Sequence, residues 1–227
     1  MEVSLSVPDS PSQLEKVRAY HRVRFPHDAR RAKVWKVVCR YLQPFVDEQS
    51  PLLELGAGYG EFTRFVQAPQ KWALDINAEM VRFWDPAVRP LVQSGLSALP
   101  LDAASVGTVF ASNFFEHFTM PELESMLADV RRVLRPGGKL IVVQPNFRLE
   151  PRRYFDDYTH KTIFTDTGFV DFLRSLGWKI VRREGRFLPF SMKSRLPVWG
   201  PLVSLYLALP FRPLAGQFLV VAEAQER

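Results

Sequence analysis

Residues 51–62 read PLLELGAGYGEF, and this stretch decides how the chain folds. The apolar run Leu52–Leu55 contains one acid, Glu54, and is followed by three glycines that alternate with other residues. A short apolar run that stops at glycines is typical of a buried strand followed by a tight turn. Glycine also lets the main chain approach a ligand closely. The stretch therefore predicts a first buried strand and a ligand-binding turn.

Short apolar runs alternate with amphipathic stretches along the rest of the chain. Further strands are predicted at residues 72–76, 89–92, 107–111, 139–143, 178–183 and 218–222, and helices at 61–67, 78–84, 121–134 and 165–176. Strands that alternate with helices indicate a parallel sheet with helices on both faces. The predicted fold class is therefore α/β, and the sequence contains no internal repeat.

The chain divides into an N-terminal helical part and one larger domain. Two helices with a bend at RFPHD are predicted before residue 44, after a flexible leader at 1–12. We expect residues 1–43 to form this leader and a helical lid, and residues 44–227 to form the domain. A proline-rich apolar insertion at about 186–216 interrupts the domain before its last strand.

Composition and charge limit the class of protein. The 227 residues are 47% hydrophobic, which is enough for one sizeable core. Cys39 is the only cysteine, and residues 1–13 lack the basic and apolar regions of a secretory signal, so we expect a cytoplasmic protein. The net charge of +6 is concentrated at the two ends. It indicates either solvated helix faces or an anionic partner, namely a phosphate-bearing substrate, a membrane surface or nucleic acid.

The acid before the glycine turn indicates the kind of ligand. Glu54 would repel the pyrophosphate of a dinucleotide, and the glycine spacing differs from the dinucleotide pattern G-x-G-x-x-G. It would attract S-adenosylmethionine, which carries a sulfonium and an amino group. Asp75 ends the second predicted strand, nineteen residues after Gly56, where an acid can accept both ribose hydroxyls of an adenosine. Together the two signals predict S-adenosylmethionine as the cofactor.

Four motifs in order carry a resemblance to a known family: ELGAGYG, ALDIN, SALPLDAASVGTVFASNFFEHF and LRPGGKL. Over roughly residues 52–143 the chain resembles class I S-adenosylmethionine-dependent methyltransferases of type 11. The resemblance implies a Rossmann-like, mostly parallel sheet of seven strands, whose last strand, at 218–222, is antiparallel. It also implies a set of cofactor-binding residues: Glu54, Gly56, Ala57, Gly58, Tyr59, Gly60, Asp75, Ile76, Gly95, Leu96, Ser97, Asn113 and Phe114.

The sequence departs from the pattern of this family at two places. The family usually has an acid near Gly95, where this chain reads SGLSALP. It usually has F-D at the start of the fourth strand, where this chain has Val106 and Gly107. The first departure removes a side-chain contact at the adenine edge, which a backbone N–H can replace. We expect the second to affect local structure only.

Two segments that follow predicted strands offer catalytic groups. Methyl transfer from a sulfonium needs positioning and, for some acceptors, a base. We favour RRYFDDYTH, which combines polar and aromatic groups and supplies His160 as the base with Asp156 or Asp157 to orient it. The segment EHF, which begins at Glu116, offers His117 instead. Either segment can also be structural, as a hydrogen-bonded loop or a support of the sheet end. No metal is predicted, because the two histidines stand isolated in the sequence.

Two other segments have alternative interpretations. In the lid, Arg24, His27 or Arg30 can hold the cofactor carboxylate or a substrate anion, or they form only a basic bend. The apolar run within residues 186–214 is too short and too broken by proline to span a membrane. That insertion can lie at a membrane interface, form a dimer surface or cover the substrate pocket.

The predicted function is transfer of a methyl group from S-adenosylmethionine to an oxygen or nitrogen of a small or lipid-linked acceptor. The part after residue 186 loosely resembles bacterial methyltransferases of glycan or lipid-linked sugar synthesis, which extends the acceptors to glycans. A nucleic-acid methyltransferase is one alternative, but the sequence has no N/D-P-P-Y/F motif and no appended RNA-binding module. A non-catalytic binding module is another. The intact glycine turn and Asp75 indicate that the chain binds the cofactor under both of these alternatives.

Overall fold

The computed structural model describes residues 11–94, 96–189 and 199–225, and seven of its strands form one sheet. The strands are β1 (Leu52–Leu55), β2 (Lys71–Asp75), β3 (Val88–Val92), β4 (Val106–Ser112), β5 (Leu134–Pro145), β6 (Trp178–Glu184) and β7 (Gln217–Ala224). The α-helices are α1 (Pro11–Arg24), α2 (Arg30–Leu42), α3 (Glu61–Phe65), α4 (Met120–Val133), α5 (Asp166–Ser175) and α6 (Gly200–Ala208).

The sheet has the strand order β3-β2-β1-β4-β5-β7-β6. Neighbouring strands run parallel except at β7, which is antiparallel to both β5 and β6. This confirms the predicted Rossmann-like α/β sheet with an antiparallel last strand. The strand order reverses between β1 and β4, and open parallel sheets bind ligands in the crevice outside the carboxyl ends of such strands.

Both faces of the sheet are covered, which explains the nearly unbroken apolar runs in the sequence. In β1, Leu52 packs in the cluster that contains residues of α2, whereas Leu53 packs in the cluster that contains residues of α4 and α5. In β5, Ile141 packs in the cluster that contains residues of α2, and Leu140 packs in the cluster that contains residues of α4 and α5. Successive side chains of a strand point to opposite faces, so helices on both sides bury all four residues of β1.

The N-terminal part has two helices, α1 and α2, on either side of the predicted bend. Residues 1–10 of the predicted leader lie outside the described residues, while positions 11 and 12 belong to α1. The helix predicted at 78–84 is a 3-10 helix, Ala78–Phe83. The Asn77 side chain begins it by accepting a hydrogen bond from the backbone N–H of Glu79 at 3.1 Å.

Gly107, at one of the two departures from the family pattern, is in close contact with a neighbouring loop. A β-carbon at this position would collide with the side chains of Asp47 and Ser50. Asp47 is also ion-paired with Arg135. Local packing therefore accounts for a glycine at the start of β4.

Part of the predicted insertion lies against α2. Helix α6 packs on α2 and buries Leu207, while Trp199, Leu202 and Leu205 remain exposed. Residues 190–198 of the insertion lie outside the described residues. Within the described ranges, no helix is long and apolar enough to cross a membrane.

Candidate active site

The turn after β1 is built on glycines with positive φ angles. Gly56, Gly58 and Gly60 have φ angles of +64°, +51° and +70°, in the left-handed region that residues with a β-carbon disfavour. A β-carbon on Gly56 would lie 2.5 Å from the Phe114 ring, and one on Gly60 would lie 2.5 Å from the Trp84 ring. Nothing lies within 4 Å of such an atom on Gly58. Two of the glycines thus permit close packing, and Gly58 leaves open space beside the turn.

Glu54 lies just before this turn and is only 5% exposed. Its Oε2 accepts a hydrogen bond from the backbone N–H of Thr63 at 3.1 Å. Burial raises the pKa of Glu54 to about 8, although hydrogen bonds from Thr63 oppose the shift. A cationic ligand beside it would favour the ionised carboxylate. The residue is therefore suited to a ligand with a sulfonium or amino group.

Asp75 ends β2 and also contacts the glycine turn. Its Oδ2 accepts a hydrogen bond from the Gly58 N–H at 2.8 Å, and its Oδ1 accepts one from the Asn77 N–H at 2.8 Å. Burial raises the pKa of Asp75, although these hydrogen bonds oppose the shift. Each carboxylate oxygen keeps a lone pair for a ligand hydroxyl. The geometry fits the ribose-binding role that the sequence predicts.

A cavity of about 680 Å³ opens onto the turn, Asp75 and the ends of β1 and β4. Its volume lies in the range of sites for small molecules. The predicted cofactor residues that line it are Glu54, Gly56, Ala57, Gly58, Tyr59, Asp75, Ile76, Leu96, Asn113 and Phe114. Gly60 and Ser97 do not line this cavity, and Gly95 lies outside the described residues.

The N-terminal helices cover one side of the cavity. Helix α1 contributes Tyr20 and His21 to the wall, and α2 contributes Trp35. The Nδ1 atom of His21 lies 2.8 Å from the Asn77 side-chain nitrogen, which ties α1 to the end of β2. The position of α1 is that of the predicted lid.

The basic residues predicted to bind an anion do not line the cavity. Arg24, His27 and Arg30 instead contact other protein side chains. Arg31, one position further along, lines the cavity and donates a hydrogen bond to Glu61 Oε1 at 2.9 Å. Which residues of the bend face the cavity depends on how α1 and α2 pack on the sheet, and local sequence does not specify this packing.

The other end of the cavity is lined by His117, Tyr158, Thr159 and Lys161. Behind this wall, Asp157 Oδ1 accepts a hydrogen bond from the Thr159 hydroxyl at 2.6 Å. Its Oδ2 accepts one from the Tyr20 hydroxyl at 2.6 Å. Burial disfavours ionisation of Asp157, yet the hydrogen bonds from Thr159 and Tyr20 hold its pKa below the ordinary value. Asp157 is therefore an anion that orients two hydroxyl groups.

These hydrogen bonds determine which nitrogen of His117 carries the proton. The Thr159 hydroxyl has one hydrogen, and it is donated to ionised Asp157. The Thr159 oxygen lies 2.9 Å from Nδ1 of His117 and therefore accepts a hydrogen bond from it. In the neutral ring Nε2 then keeps its lone pair. His117, a residue of the cavity wall, thus has a nitrogen with a free lone pair.

His160 lies behind His117 and is not among the residues of the cavity wall. The two ring centroids are 5.2 Å apart, and Nε2 of His160 is 3.8 Å from Oε1 of fully buried Glu116. Burial and the neighbouring His117 lower the pKa of His160 to about 4, and burial raises the pKa of Glu116. The carboxylate of Asp157 orients Thr159 and Tyr20 rather than His160. The predicted pair of His160 and Asp157 is therefore not formed, and His117 takes the position at the wall.

Sequence reasoning missed several residues of the site, among them Tyr20, His21 and Thr159. Thr159 had a signal, because it lies within the favoured segment RRYFDDYTH. Tyr20 and His21 had none, since their place in the wall requires α1 to cross the end of the sheet. The segments EHF and RRYFDDYTH were also interpreted as alternative sources of the base, whereas in the structure Glu116, His117 and His160 from both segments lie in one cluster.

Comparisons with known proteins agree with this geometry. Residues 53–142 match the family described as a methyltransferase domain, Methyltransf_11. The ubiquinone/menaquinone biosynthesis C-methyltransferase UbiE of Burkholderia mallei is 28% identical over 144 residues, which cover 58% of this chain and 58% of that protein. The chain thus spans less than two thirds of the length of this relative.

Solved structures share the fold. A SAM-dependent methyltransferase from Archaeoglobus fulgidus matches with a TM-score of 0.67 and 17% identity, covering 92% of this chain and 99% of that one. The [4+2]-cyclase SpnF matches with a TM-score of 0.60 and 16% identity, covering 85% of this chain and 82% of its own. Likeness at this identity shows the fold alone, and a cyclase that shares it shows that the fold does not fix the reaction. Over residues 53–142 the chain therefore matches the methyltransferase-domain family, and its sheet has the fold of class I S-adenosylmethionine-dependent methyltransferases.

Proposed function

We propose that the protein transfers a methyl group from S-adenosylmethionine to an oxygen or nitrogen of a small or lipid-linked acceptor. One observation carries this proposal: the same cavity contains the cofactor residues Glu54 and Asp75 at one end and His117 at the other. A bound methyl donor and an acceptor can therefore be held side by side. Holding two reactants in position is the main contribution that a protein makes to such a displacement.

When bound, S-adenosylmethionine would supply an electrophilic methyl carbon to a lone pair of the acceptor, with the neutral thioether sulfur as the leaving group that keeps the electron pair. Asp75 would hold the adenosine, and Glu54 would face the cationic part. The acceptor also loses a proton. His117 is the side chain that can accept it, because Nε2 of the neutral ring keeps its lone pair and His117 lines the cavity, and the proton then passes from the imidazolium to solvent.

We assign Arg31 to the cofactor carboxylate, in place of the three basic residues predicted in the same segment. Arg31 lines the cavity close to the glycine turn, and its partner Glu61 begins α3 directly after that turn. An arginine presents several donors in a fixed plane and is suited to a carboxylate. Its bond to Glu61 keeps the guanidinium in place before the ligand binds.

A carbon acceptor is the second candidate, and the likeness to UbiE favours it. UbiE is named as a C-methyltransferase of ubiquinone and menaquinone biosynthesis. Methylation of an aromatic carbon beside a hydroxyl is also helped by loss of the hydroxyl proton. The same position of His117 would serve that reaction, so the product decides between oxygen, nitrogen and carbon.

The surface beside α6 supports a lipid-linked acceptor and contact with the inner face of the membrane. Helix α6 contains no charged residue, and Trp199, Leu202 and Leu205 on or next to it are exposed. The neighbouring α2 contains no acid and exposes basic residues that include Lys36 and Arg40. An apolar surface bordered by positive charge is suited to anionic lipids. The described part of the insertion does not line the cavity, so a role as its cover is not supported there.

The test measures binding and turnover in one sample. Calorimetric titration of the purified full chain should show micromolar binding of S-adenosylmethionine and none of NADH. Formation of S-adenosylhomocysteine is then followed with phosphorylated sugars, lipid-linked sugars in micelles, hydroquinones and RNA. His117→Asn should lower turnover by about 100-fold or more, because a positioned proton-transfer group contributes about that factor. Binding of S-adenosylmethionine should not change in this variant.

Each outcome separates the candidates. Methylated product on a sugar, on a quinone ring or on RNA identifies the acceptor class. Binding without turnover on any acceptor supports the non-catalytic binding module. A folded sample that is free of co-purified cofactor and does not bind S-adenosylmethionine would overturn the proposal.

A further inference from the structure

A second chemical feature lies directly behind the acceptor end of the cavity. Glu116, His117 and His160 each bring one ligand atom to within 4.8 Å of the others. Glu116 and His117 lie on the short 3-10 helix after β4, and His160 lies in the segment between β5 and α5. We propose that these three side chains bind one divalent transition-metal ion next to the acceptor. The site itself stands independently, while its role in catalysis rests on the proposed methyl transfer.

The buried atoms of this cluster lack the partners that a metal would supply. Glu116 is fully buried, and its Oε2 accepts a hydrogen bond from the Gln144 side chain at 2.5 Å. Its Oε1 has no hydrogen-bond partner among the described residues. The nearest basic atom, Nε2 of His160, is 3.8 Å away, which is too far for a hydrogen bond. A buried carboxylate oxygen without a donor is unfavourable, and a cation between the two atoms would remove that penalty.

The distances suit a metal after a small inward movement. Nitrogen and oxygen ligands about 2.1 Å from a metal are about 3 to 3.4 Å apart at tetrahedral or octahedral angles. The observed 3.8 Å between Glu116 and His160 is slightly longer, and the three ligand atoms of the cluster lie within 4.8 Å of one another. Binding of an ion therefore requires the side chains to move closer together by roughly 0.5 to 1.5 Å. The cluster is therefore close to a coordination geometry without a bound ion.

The residues around the cluster orient His117 and fix the segment of His160, while Nδ1 of His160 has no hydrogen-bond partner among the described residues. His117 donates from Nδ1 to Thr159, which donates to Asp157, so Nε2 remains free to bind a metal. Metal-binding histidines usually have such a partner on the second nitrogen. The backbone oxygen of Glu116 accepts hydrogen bonds from the N–H groups of Lys161 and Thr162 at 2.8 and 3.1 Å. These bonds fix the segment of His160 against that of Glu116.

The ligand set indicates the class of metal. Two imidazoles and one carboxylate suit first-row transition metals such as Mn²⁺, Fe²⁺, Co²⁺ and Zn²⁺ better than Mg²⁺ or Ca²⁺, which prefer oxygen ligands. Three protein ligands leave coordination positions open, and His117 places the metal at the cavity wall. With Nε2 of His117 bound to the ion, the ion and not a free imidazole would promote the proton loss. An acceptor hydroxyl bound there would become more acidic and release its proton to water. Its oxygen lone pair would then form the bond to the methyl carbon.

The test titrates Co²⁺ into tag-free full-length protein that has been treated with a chelator, and follows the visible absorption. We expect saturation at one Co²⁺ per chain. Glu116→Gln and His160→Asn should each weaken binding at least about tenfold. Glu124→Gln is the matched control, because Glu124 is exposed on α4 and its loss should leave Co²⁺ binding unchanged. Circular dichroism melting of each variant shows whether it is folded.

The results separate the metal site from the proposed function. Absence of saturable Co²⁺ binding, or equal binding by wild type and a folded His160→Asn variant, would overturn the site. S-adenosylmethionine binding is measured by calorimetry in the presence of chelator, where we expect it to persist, since the cofactor residues lie elsewhere in the cavity. Loss of cofactor binding in the wild type would contradict the proposed function and leave the metal result standing.

Discussion

The two ends of the cavity are built in different ways. At the cofactor end, Glu54 and the glycines come from one continuous stretch, and Asp75 ends the neighbouring strand. At the acceptor end, His117 follows β4, Thr159 follows β5, and Tyr20 comes from α1. The cofactor end therefore depends mainly on local sequence and strand pairing. The acceptor end depends on three separate segments that meet only in the folded chain.

This difference has a consequence for how the two ends respond to substitution. At the cofactor end, the Asp75 carboxylate accepts hydrogen bonds from Gly58 and Asn77 and so holds the turn in place. The same carboxylate can also bind the ligand. At the acceptor end the functional side chain depends on others behind it, as His117 depends on Thr159 and Asp157. We expect changes at the first end to alter binding of the cofactor, and changes at the second to alter turnover.

The largest effect is expected for Asp75→Ala. The variant should bind S-adenosylmethionine more than about 100-fold more weakly, because each hydrogen bond to a charged group contributes about 1.5–3 kcal/mol and a factor of ten corresponds to about 1.4 kcal/mol. Calorimetric titration measures the change. Co²⁺ binding at the acceptor end should remain, since the two sets of side chains are separate.

Asp102→Ala is the control for this variant, because Asp102 is exposed and does not line the cavity. It should bind the cofactor as the wild type does. Unchanged affinity in Asp75→Ala would show that Asp75 does not bind the ribose. It would also contradict the expectation that substitutions at the cofactor end alter cofactor binding.

An intermediate effect is expected for Thr159→Val. Valine has a similar shape but cannot accept the hydrogen bond from His117, so the ring loses its orientation and its tautomer is no longer fixed. Turnover should decrease by about 10- to 100-fold, the usual range for the partner of a functional histidine. Formation of S-adenosylhomocysteine at saturating acceptor measures the change, with calorimetry for the affinity of the cofactor.

Thr159→Ser tests whether the hydroxyl is responsible. Serine keeps the hydroxyl and should restore most of the turnover, while the affinity for S-adenosylmethionine stays unchanged in both variants. Equal loss in the serine and valine variants would indicate that the methyl group and packing matter, and would contradict the orienting role.

The smallest effect concerns the pH dependence of Glu54. Its pKa is about 8 in the folded protein against an ordinary 4.5, so the folded state binds more protons than the unfolded state between these values. The contribution of Glu54 to the free energy of unfolding therefore decreases as pH rises from about 4.5 to about 8. A cationic ligand favours the ionised form, so affinity for S-adenosylmethionine should rise with pH up to about 8, where Glu54 of the free folded protein ionises. Denaturant unfolding and calorimetry at several pH values measure both trends.

Glu54→Gln separates this group from other titrating residues. Glutamine keeps the shape but does not ionise, so both pH trends should become flatter in the variant than in the wild type. If stability and affinity depended on pH in the same way in both proteins, ionisation of Glu54 would not contribute to binding of the cationic cofactor.

Several features of the fold were predictable because they depend on local physics. The apolar run at Leu52–Leu55 can only be buried on both faces, and glycine at positions 56, 58 and 60 accommodates positive φ angles that other residues disfavour. The antiparallel β7 was predicted only through family resemblance, since no local pattern encodes strand direction. The acceptor end was predicted only in part. Its segments were identified, but the assignment of His160 as the base with Asp157 to orient it required contacts between distant segments.

By itself the sequence determined the α/β class, the glycine turn and the acid at the end of β2, because strand periodicity and backbone conformation are properties of neighbouring residues. The tertiary structure alone decided that His117 rather than His160 reaches the cavity and that Arg31 rather than Arg30 lines it. It also decided that Oε1 of Glu116 lies near His117 and His160 without a hydrogen-bond partner among the described residues. These relations depend on how α1, the end of β4 and the loop after β5 pack together. Burial and hydrogen bonding between such segments are set only when the whole core forms.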